Sequence, residues 1–210
     1  MNETGVIQLD CTDREQVRAI AELHGKLLSD SPIPQLGRSF MTEFYYAKLP
    51  EDRLIECYLY QHEGRCVAFL VFTKHPFGFM REGRRRHLIS LGLSIMKSLV
   101  SRPSRIAVIV KIARLGGRRL SREDGKTAEI LSFGVEEPYR GMKDETAGLR
   151  ISNLLFEKAL ACLKDEGFTM VQGEIRKDNK EALLFWKSYG GRIEGSGWTR
   201  KGCCLVCIDL

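Results

Sequence analysis

Apolar positions along the chain follow two rhythms, and their order predicts the fold. Val6 to Leu9 is a short strand candidate. Behind it, Asp10-Cys11-Thr12 offers N-cap side chains, and Val17, Ile20, Ala21, His24, Leu27 and Leu28 recur at helical spacing, so a helix is expected from Asp13 to Leu28. Ser31-Pro32-Ile33-Pro34 breaks the chain, and Phe40, Phe44 and Ala47 mark a second helix from Leu36 to Lys48 that Pro50 ends. Ile55 to Tyr60 and Cys66 to Phe72 flank His62-Glu63-Gly64-Arg65 as a β-hairpin. Leu88, Leu91, Ile95 and Leu99, with Ile89 and Met96, predict one amphipathic helix from Gly83 to Ser101, stopped by Pro103. A second apolar stretch, Ile106 to Leu115, leads into a polar loop that runs to Lys126.

The second half alternates strand and helix. Strands are expected at Ala128 to Val135, Phe168 to Ile175 and Cys203 to Ile208, and helices at Gly148 to Glu166 and Asn179 to Ser188. That order predicts a β-α-β crossover. No repeat, low-complexity tract or long linker divides the chain, so residues 1–210 are expected as a single domain, with a basic helical insertion at about 76–126.

Composition narrows this picture. Apolar residues at 43% and charged residues at 29% exclude wholesale disorder. Met1 to Asp10 lacks the pattern of a signal peptide, and Leu88 to Val100 is too short to span a membrane and carries Lys97, so a cytoplasmic location is expected. The seven cysteines are odd in number and scattered, which predicts reduced thiols. Cys204 and Cys207 form a C-x-x-C without a second pair, and a buried strand explains them better than a metal site, so no metal is expected. Charge is unevenly placed. Arg81 to Arg122 carries twelve Lys/Arg against one acid, Glu82, an excess larger than the whole chain's net +6, so the remainder is acidic.

Two blocks carry candidate chemistry. Ala128-Glu-Ile-Leu-Ser-Phe-Gly-Val135 is followed by Glu136-Glu-Pro-Tyr-Arg-Gly141 and then Gly148-Leu-Arg-Ile-Ser-Asn-Leu-Leu155. Glycines before a helix allow close approach of backbone to phosphate, and the helix start offers free N–H groups to an anion. The second block is Asn179-Lys-Glu-Ala-Leu-Leu-Phe-Trp-Lys-Ser-Tyr-Gly-Gly191. Together they resemble the signature of the GNAT (GCN5-related) N-acetyltransferases over about Ala128 to Gly195. The chain departs from it in two places: Met142 to Ala147 interrupt the glycine loop, and Trp186 stands where the family has a tyrosine.

The resemblance implies an α+β fold, with a twisted, mostly antiparallel sheet, a parallel β-α-β unit splayed at the acetyl-CoA site, and flanking helices. It implies acetyl-CoA as co-substrate and direct acetyl transfer to an amine. On this reading the main chain of Phe133 and Val135 pairs with the pantetheine arm, and Gly134, with a bulge there, opens the sheet at the thioester. Arg140 and Gly141, with the amides of Gly148, Leu149, Arg150, Ile151 and Ser152, hold the pyrophosphate, while Asn179, Phe185 and Trp186 flank the cofactor arm. A protonated amine must lose a proton, and Glu129 is the first candidate base, Glu174 the second. An indole N–H is no usable acid; Tyr189, three residues on, is a candidate to replace it, with packing against the core as the alternative.

The expected acceptor is a small-molecule primary amine, anionic if the basic insertion serves it, such as an amino sugar. Alternatives are a protein or peptide amine, a coenzyme A-binding GNAT without turnover, and a module held at an anionic membrane surface by the insertion, peripheral to the membrane. A homodimer is left open. No nucleic acid is expected, because the basic segment matches no motif that reads it.

Overall fold

The structure is a computed structural model that describes residues 4–103, 105–106, 125–194 and 202–210. The expected apolar stretch Ile106 to Leu115 and the loop after it fall almost wholly outside the described residues. Strand β1 (Gly5–Gln8) leads into helix α1 (Arg14–Leu27). The cap of α1 is Asp13, whose carboxylate accepts from the amides of Glu15 and Gln16. Asp10 instead closes its own turn through the amide and hydroxyl of Thr12, so the expected cap at 10–12 lies slightly too early.

The single helix expected over Leu36 to Lys48 is broken. A short α2 (Pro32–Gln35) occupies the expected break, Gly37 at φ 101° turns the chain, and α3 (Arg38–Phe40) passes into a π-helical turn, Met41–Tyr45, before α4 (Lys48–Glu51), within which Pro50 lies. The reason is packing. Phe40, Met41, Phe44, Tyr45 and Tyr46 are all fully buried, which one face of a regular helix cannot provide at this spacing. Each buried side chain of this kind contributes roughly 1.5–3 kcal/mol, enough to offset one wide turn.

The hairpin forms as β2 (Glu56–His62) and β3 (Arg65–Thr73). The helix expected from Gly83 to Ser101 is two helices, α5 (Phe79–Arg86) and α6 (Leu88–Ser101). His87 breaks them with non-helical backbone while its Nε2 lies 2.8 Å from Asp52. The face of α6 is also not the expected one. Leu91, Ser94 and Ser98 are buried, whereas Leu88, Ile89 and Met96 are exposed. Small serines let α6 lie close to α3. Ser98 Oγ donates to the Leu36 carbonyl, and the Arg105 guanidinium donates to Ser98 Oγ at 3.0 Å over Gly37, where a Cβ would meet it at 2.4 Å.

The second half follows as β4 (Thr127–Val135), α7 (Ile151–Asp165), β5 (Met170–Arg176), α8 (Lys180–Ser188), β6 (Arg192–Glu194) and β7 (Cys203–Asp209). β6 had no signal in the sequence: it is three exposed residues paired to β7. The sheet order is β1-β2-β3-β4-β5-β7-β6, and β4–β5 is the parallel pair, joined through α7 as parallel strands require. On one face α1 to α6 cover Leu59, Phe69 and Val71; on the other α7 and α8 cover Ala68, Leu70, Phe72 and Val171. β3 is thus buried on both faces at the centre. Cys204 faces the α7 side with Val206 and Ile208, and the seven cysteines are free thiols.

Trp186, 4% exposed, seats its indole on Gly173 of β5. A Cβ at Gly173 would stand 2.6 Å from Trp186 Cζ2. Gly173→Ala should gain roughly 0.5–1 kcal/mol of backbone entropy yet lose roughly 1–3 kcal/mol to overpacking, and so destabilise. A urea midpoint equal to or above wild type would mean that the indole is free to slide.

Candidate active site

Four rungs pair β4 with β5, from Thr127–Met170 to Ile130–Gly173. Beyond them β4 stays with β3 as far as Val135, and β5 stays with β7 as far as Arg176. The strands therefore part, and from Leu131 to Val135 the edge of β4 facing the gap has no strand partner among the described residues. The gap is a cleft floored by main chain, able to take an extended ligand arm as an added strand.

A bulge sits at the head of this gap. The β3–β4 register slips between Val71 and Phe72, leaving Leu131 as the extra residue. Alternation is thereby reset: Leu131 and Ser132 both face the α1 side, and Phe133 and Val135 turn to the α7 side. The bulge lies three residues before Gly134, where it was expected. Gly134 instead admits α1, since a Cβ there would lie 3.0 Å from Leu27 Cδ1 and 3.2 Å from Phe69.

Behind the bulge is a buried polar chain that the sequence did not reveal as part of the site. His24 Nδ1 lies 2.5 Å from the Tyr46 hydroxyl, and Nε2 lies 3.4 Å from both Ser31 Oγ and Ser132 Oγ. Ser132 Oγ donates to the Leu131 carbonyl at 2.8 Å. Burial lowers the His24 pKa to about 4 and raises that of Tyr46 well above its ordinary value. Histidine is therefore neutral and the phenol protonated, which suits a Tyr46 hydroxyl donating to Nδ1 and an Nε2–H aimed at the bulge.

On the α7 side the cleft is aromatic. Phe185 packs on Phe133 at 5.6 Å between centroids and on Phe156 at 5.0 Å, and Trp186 meets Phe156 at 5.4 Å. Because Trp186 rests on Gly173, in the last paired rung, its indole marks the apex of the gap. Asn179 caps α8, its Oδ1 accepting from the Ala182 amide at 3.1 Å. It positions Phe185 and Trp186 through the helix they share. The Tyr189 hydroxyl donates to Glu157 at 3.0 Å, and burial followed by that bond raises its pKa.

The two acids are not equivalent. Glu129 is 2% exposed and lies within the paired rungs, opposite Gln172. Glu174 is the first residue of β5 past the last rung, half-buried, on the face opposite Ile175 and Trp186. Glu174 therefore lies one residue beyond the last shared rung, where β5 leaves β4, and Glu129 lies one rung inside the paired part.

The loop beyond β4 completes the site. Glu136, buried at its end, takes Lys26 at 2.5 Å and Arg65 at 2.9 Å, and Arg140 Nε donates to the Val135 carbonyl at 3.3 Å. Gly141 (φ 81°) and Gly148 (φ 67°) adopt left-handed backbone that glycine allows without strain. The interruption between them is a built turn. Asp144 accepts from the amides of Ala147 at 2.6 Å and Thr146 at 3.0 Å and from the Tyr60 hydroxyl at 2.7 Å. The Ala147 amide first, then the Tyr60 hydroxyl, hold its carboxyl below the usual range. The Asp-Glu-Thr sequence is an Asx-turn signal that could have revealed this brace.

The turn delivers Lys143 opposite Arg150 in an antiparallel bridge, at the start of α7. Two of the amides expected to cradle a pyrophosphate are already used: Gly148 donates to Asp144 and Ile151 to Met142. The amides of Ser152 and Asn153 have no partner among the described residues, and Arg150 caps α7 without a side-chain hydrogen bond. Free amides at a helix start beside two opposed cations fit a phosphate-bearing ligand, which would relieve the like-charge pair. Lys143, hidden in the interruption, and Asn153, on the first turn of α7, join the candidate site here, as the His24 chain does, without having been read from the sequence. Among the described residues no group of His, Cys, Asp and Glu could hold a metal.

No family model and no curated protein matches the sequence. Solved structures match in shape. An acetyltransferase of the GNAT family from Staphylococcus aureus is similar with a TM-score of 0.55 at 10% identity, covering 99% of both chains. PaiA N-acetyltransferase from Thermoplasma acidophilum, in complex with coenzyme A, matches with a TM-score of 0.55 at 10% identity over 99% of both chains. The ribosomal-protein-S18-alanine N-acetyltransferase from Escherichia coli matches with a TM-score of 0.54 at 11% identity, over 99% of this chain and 94% of that one. The chain has the fold of these acetyltransferases, as its second-half motifs implied.

His24 gives the site a pH signature. Its folded pKa of about 4 lies below the unfolded value near 6.5, so its contribution to stability is whole above pH 6.5 and is lost as pH falls towards 4. Between pH 7.5 and 4.5 that loss should be roughly 2–3 kcal/mol. Urea unfolding of wild type against His24→Gln should show a flatter pH profile in the variant; parallel profiles would mean that His24 titrates normally.

Proposed function

We propose that the chain is an acetyl-CoA-dependent N-acetyltransferase acting on a primary amine. The observation that carries this is the parting of β4 and β5 after Ile130 and Gly173, next to the unpartnered amides that open α7. Acetyl-CoA supplies a thioester whose acyl group can pass to nitrogen. The residues present fit it: the free edge of β4 for the arm, Phe133 and Phe185 beside it, and Ser152, Asn153, Lys143, Arg150 and Arg140 for the pyrophosphate. The new C–N bond forms as the C–S bond breaks, and the thiol leaves.

We assign to Glu174 the proton that the amine must lose, on the support of its position just past the last rung shared with β4. An alkylammonium with a pKa of roughly 10 is almost wholly charged at neutral pH, so a carboxylate at the cleft wall, acting directly or through water, lowers the barrier. Glu129, sealed in the paired part of the sheet, holds structure instead. Trp186 acts by shape, propping the apex, and a thiol leaving group with a pKa of roughly 8.5 needs little acid help.

The acceptor we read as a small anionic amine, such as an amino sugar bearing an acidic group. Support comes from a groove of about 470 Å³ between α1 and the end of α6, lined by Arg38, Arg102 and Arg105. Its acid, Glu22, already pairs with Arg38, and Arg102 and Arg105 have no carboxylate partner among the described residues.

Calorimetry should show coenzyme A binding that weakens about tenfold or more in Lys143→Glu and Arg150→Glu, each of which sets a negative charge at the helix start. Asp144→Ala, which unties the turn, should weaken it as well. Absence of binding at millimolar coenzyme A would sink the assignment.

A panel of amines scored by thiol release then tests the chemistry. Glu174→Gln should cost roughly 100-fold or more in kcat with little change in the Michaelis constant for acetyl-CoA. Glu129→Gln should lose stability before rate. Tight binding without release on any amine, peptides included, would leave a coenzyme A-binding protein without turnover.

A further inference from the structure

Burial on α6 runs opposite to its composition. The inward face presents Leu91, Ser94 and Ser98, while Leu88, Ile89, Leu93, Met96 and Val100 are 69, 80, 47, 55 and 81% exposed. At helical spacing these five fall on one face over successive turns, with Gly92 among them and also exposed. Single exposed apolar residues need no explanation, but a contiguous stripe of five marks a contact surface.

The helix before it supplies the complementary feature. Arg81, Arg84 and Arg85 of α5 are exposed, and none has a carboxylate partner among the described residues. The neighbouring acids are already taken. Glu82 pairs with Arg86, Asp52 with His87 and Arg86, and Glu43 with Lys97. Arg85 and Arg86 line one surface groove with Leu88, Ile89 and Leu93, so the basic and apolar features adjoin.

We infer that this face docks on an anionic lipid bilayer. The α6 stripe enters the boundary between headgroups and acyl chains, and the α5 arginines meet the lipid phosphates. An apolar face bordered by uncompensated cations, with the adjoining acids neutralised, matches a surface that is apolar inside and anionic outside. A second copy of the chain would bring a second set of unpaired arginines to the same contact and no acid to pair them. No helix among the described residues is long and apolar enough to cross a membrane, so the contact is peripheral. This goes beyond acetyl transfer and does not depend on it.

Flotation of the full chain with phosphatidylcholine vesicles, with and without phosphatidylglycerol, tests the inference. The protein should float only with the anionic vesicles, and less in high salt. Ile89→Glu with Val100→Glu, and separately Arg84→Ala with Arg85→Ala, should each lower the partition coefficient roughly tenfold or more. All four positions are exposed, so both double variants should keep the wild-type Tm and coenzyme A affinity. The inference is overturned by failure to float, or by equal flotation with neutral vesicles. It is overturned too if only the arginine variant loses binding, which would be adsorption without insertion, or if the wild type is a dimer that Ile89→Glu with Val100→Glu converts to monomer without any vesicle binding.

Discussion

The seat of Trp186 on Gly173 is the contact on which the site depends. It occupies the last rung that β4 and β5 share, and beyond it each strand follows its antiparallel neighbour, β3 or β7. A sheet with an interior gap would ordinarily leave main-chain groups unpaired, a cost that proteins avoid. Here the gap is propped from the α7 side by the indole and the Phe133, Phe156 and Phe185 rings, and on the α1 side by the His24 chain behind the bulge. The gap is held open by packing on both faces, the kind of preorganisation that the proposed binding of an extended ligand requires.

Electrostatics are arranged in two tiers around that opening. Glu136 is buried and neutralised by Lys26 and Arg65, so the base of the loop carries no stray negative charge. Farther out, Asp144 turns its oxygens to two amides and a phenol, and beside it Lys143 and Arg150 oppose each other. The inner tier fixes the backbone, and the outer tier holds the cations proposed to meet a phosphate.

What could be read in the sequence was the local part. Asn179, Ala182 and Phe185 belong to one helix and its cap, and the strand–loop–helix order from Ala128 is contiguous. β4, α7, β5, α8 and β7 were therefore legible to within three residues, while the three-residue β6 was not. The rest depends on partners far along the chain. His87 breaks a helix because Asp52 lies beside it, and Leu131 bulges because of its register against β3. The face of α6 is set by the carbonyl of Leu36. Periodicity located the stripe on α6 but not the side it would face, since burial of serines is decided by what they reach. Lys143 was missed because it sat in an apparent interruption, whose purpose appears only once Asp144 meets Tyr60.

The latch at the end of α6 has a steric consequence. Ser98 is bonded to the carbonyl of Leu36, and the Arg105 guanidinium rests on the bare backbone of Gly37. Leu36 and Gly37 directly follow the Pro32–Gln35 turn, and Asp30, just before that turn, lies 3.8 Å from Arg176 at the open end of β5. The end of α6 is thus clasped to the backbone that follows a proline-bearing turn, and only a residue without a side chain fits at Gly37, where a Cβ would stand 2.4 Å from the guanidinium and from Ser98 Oγ.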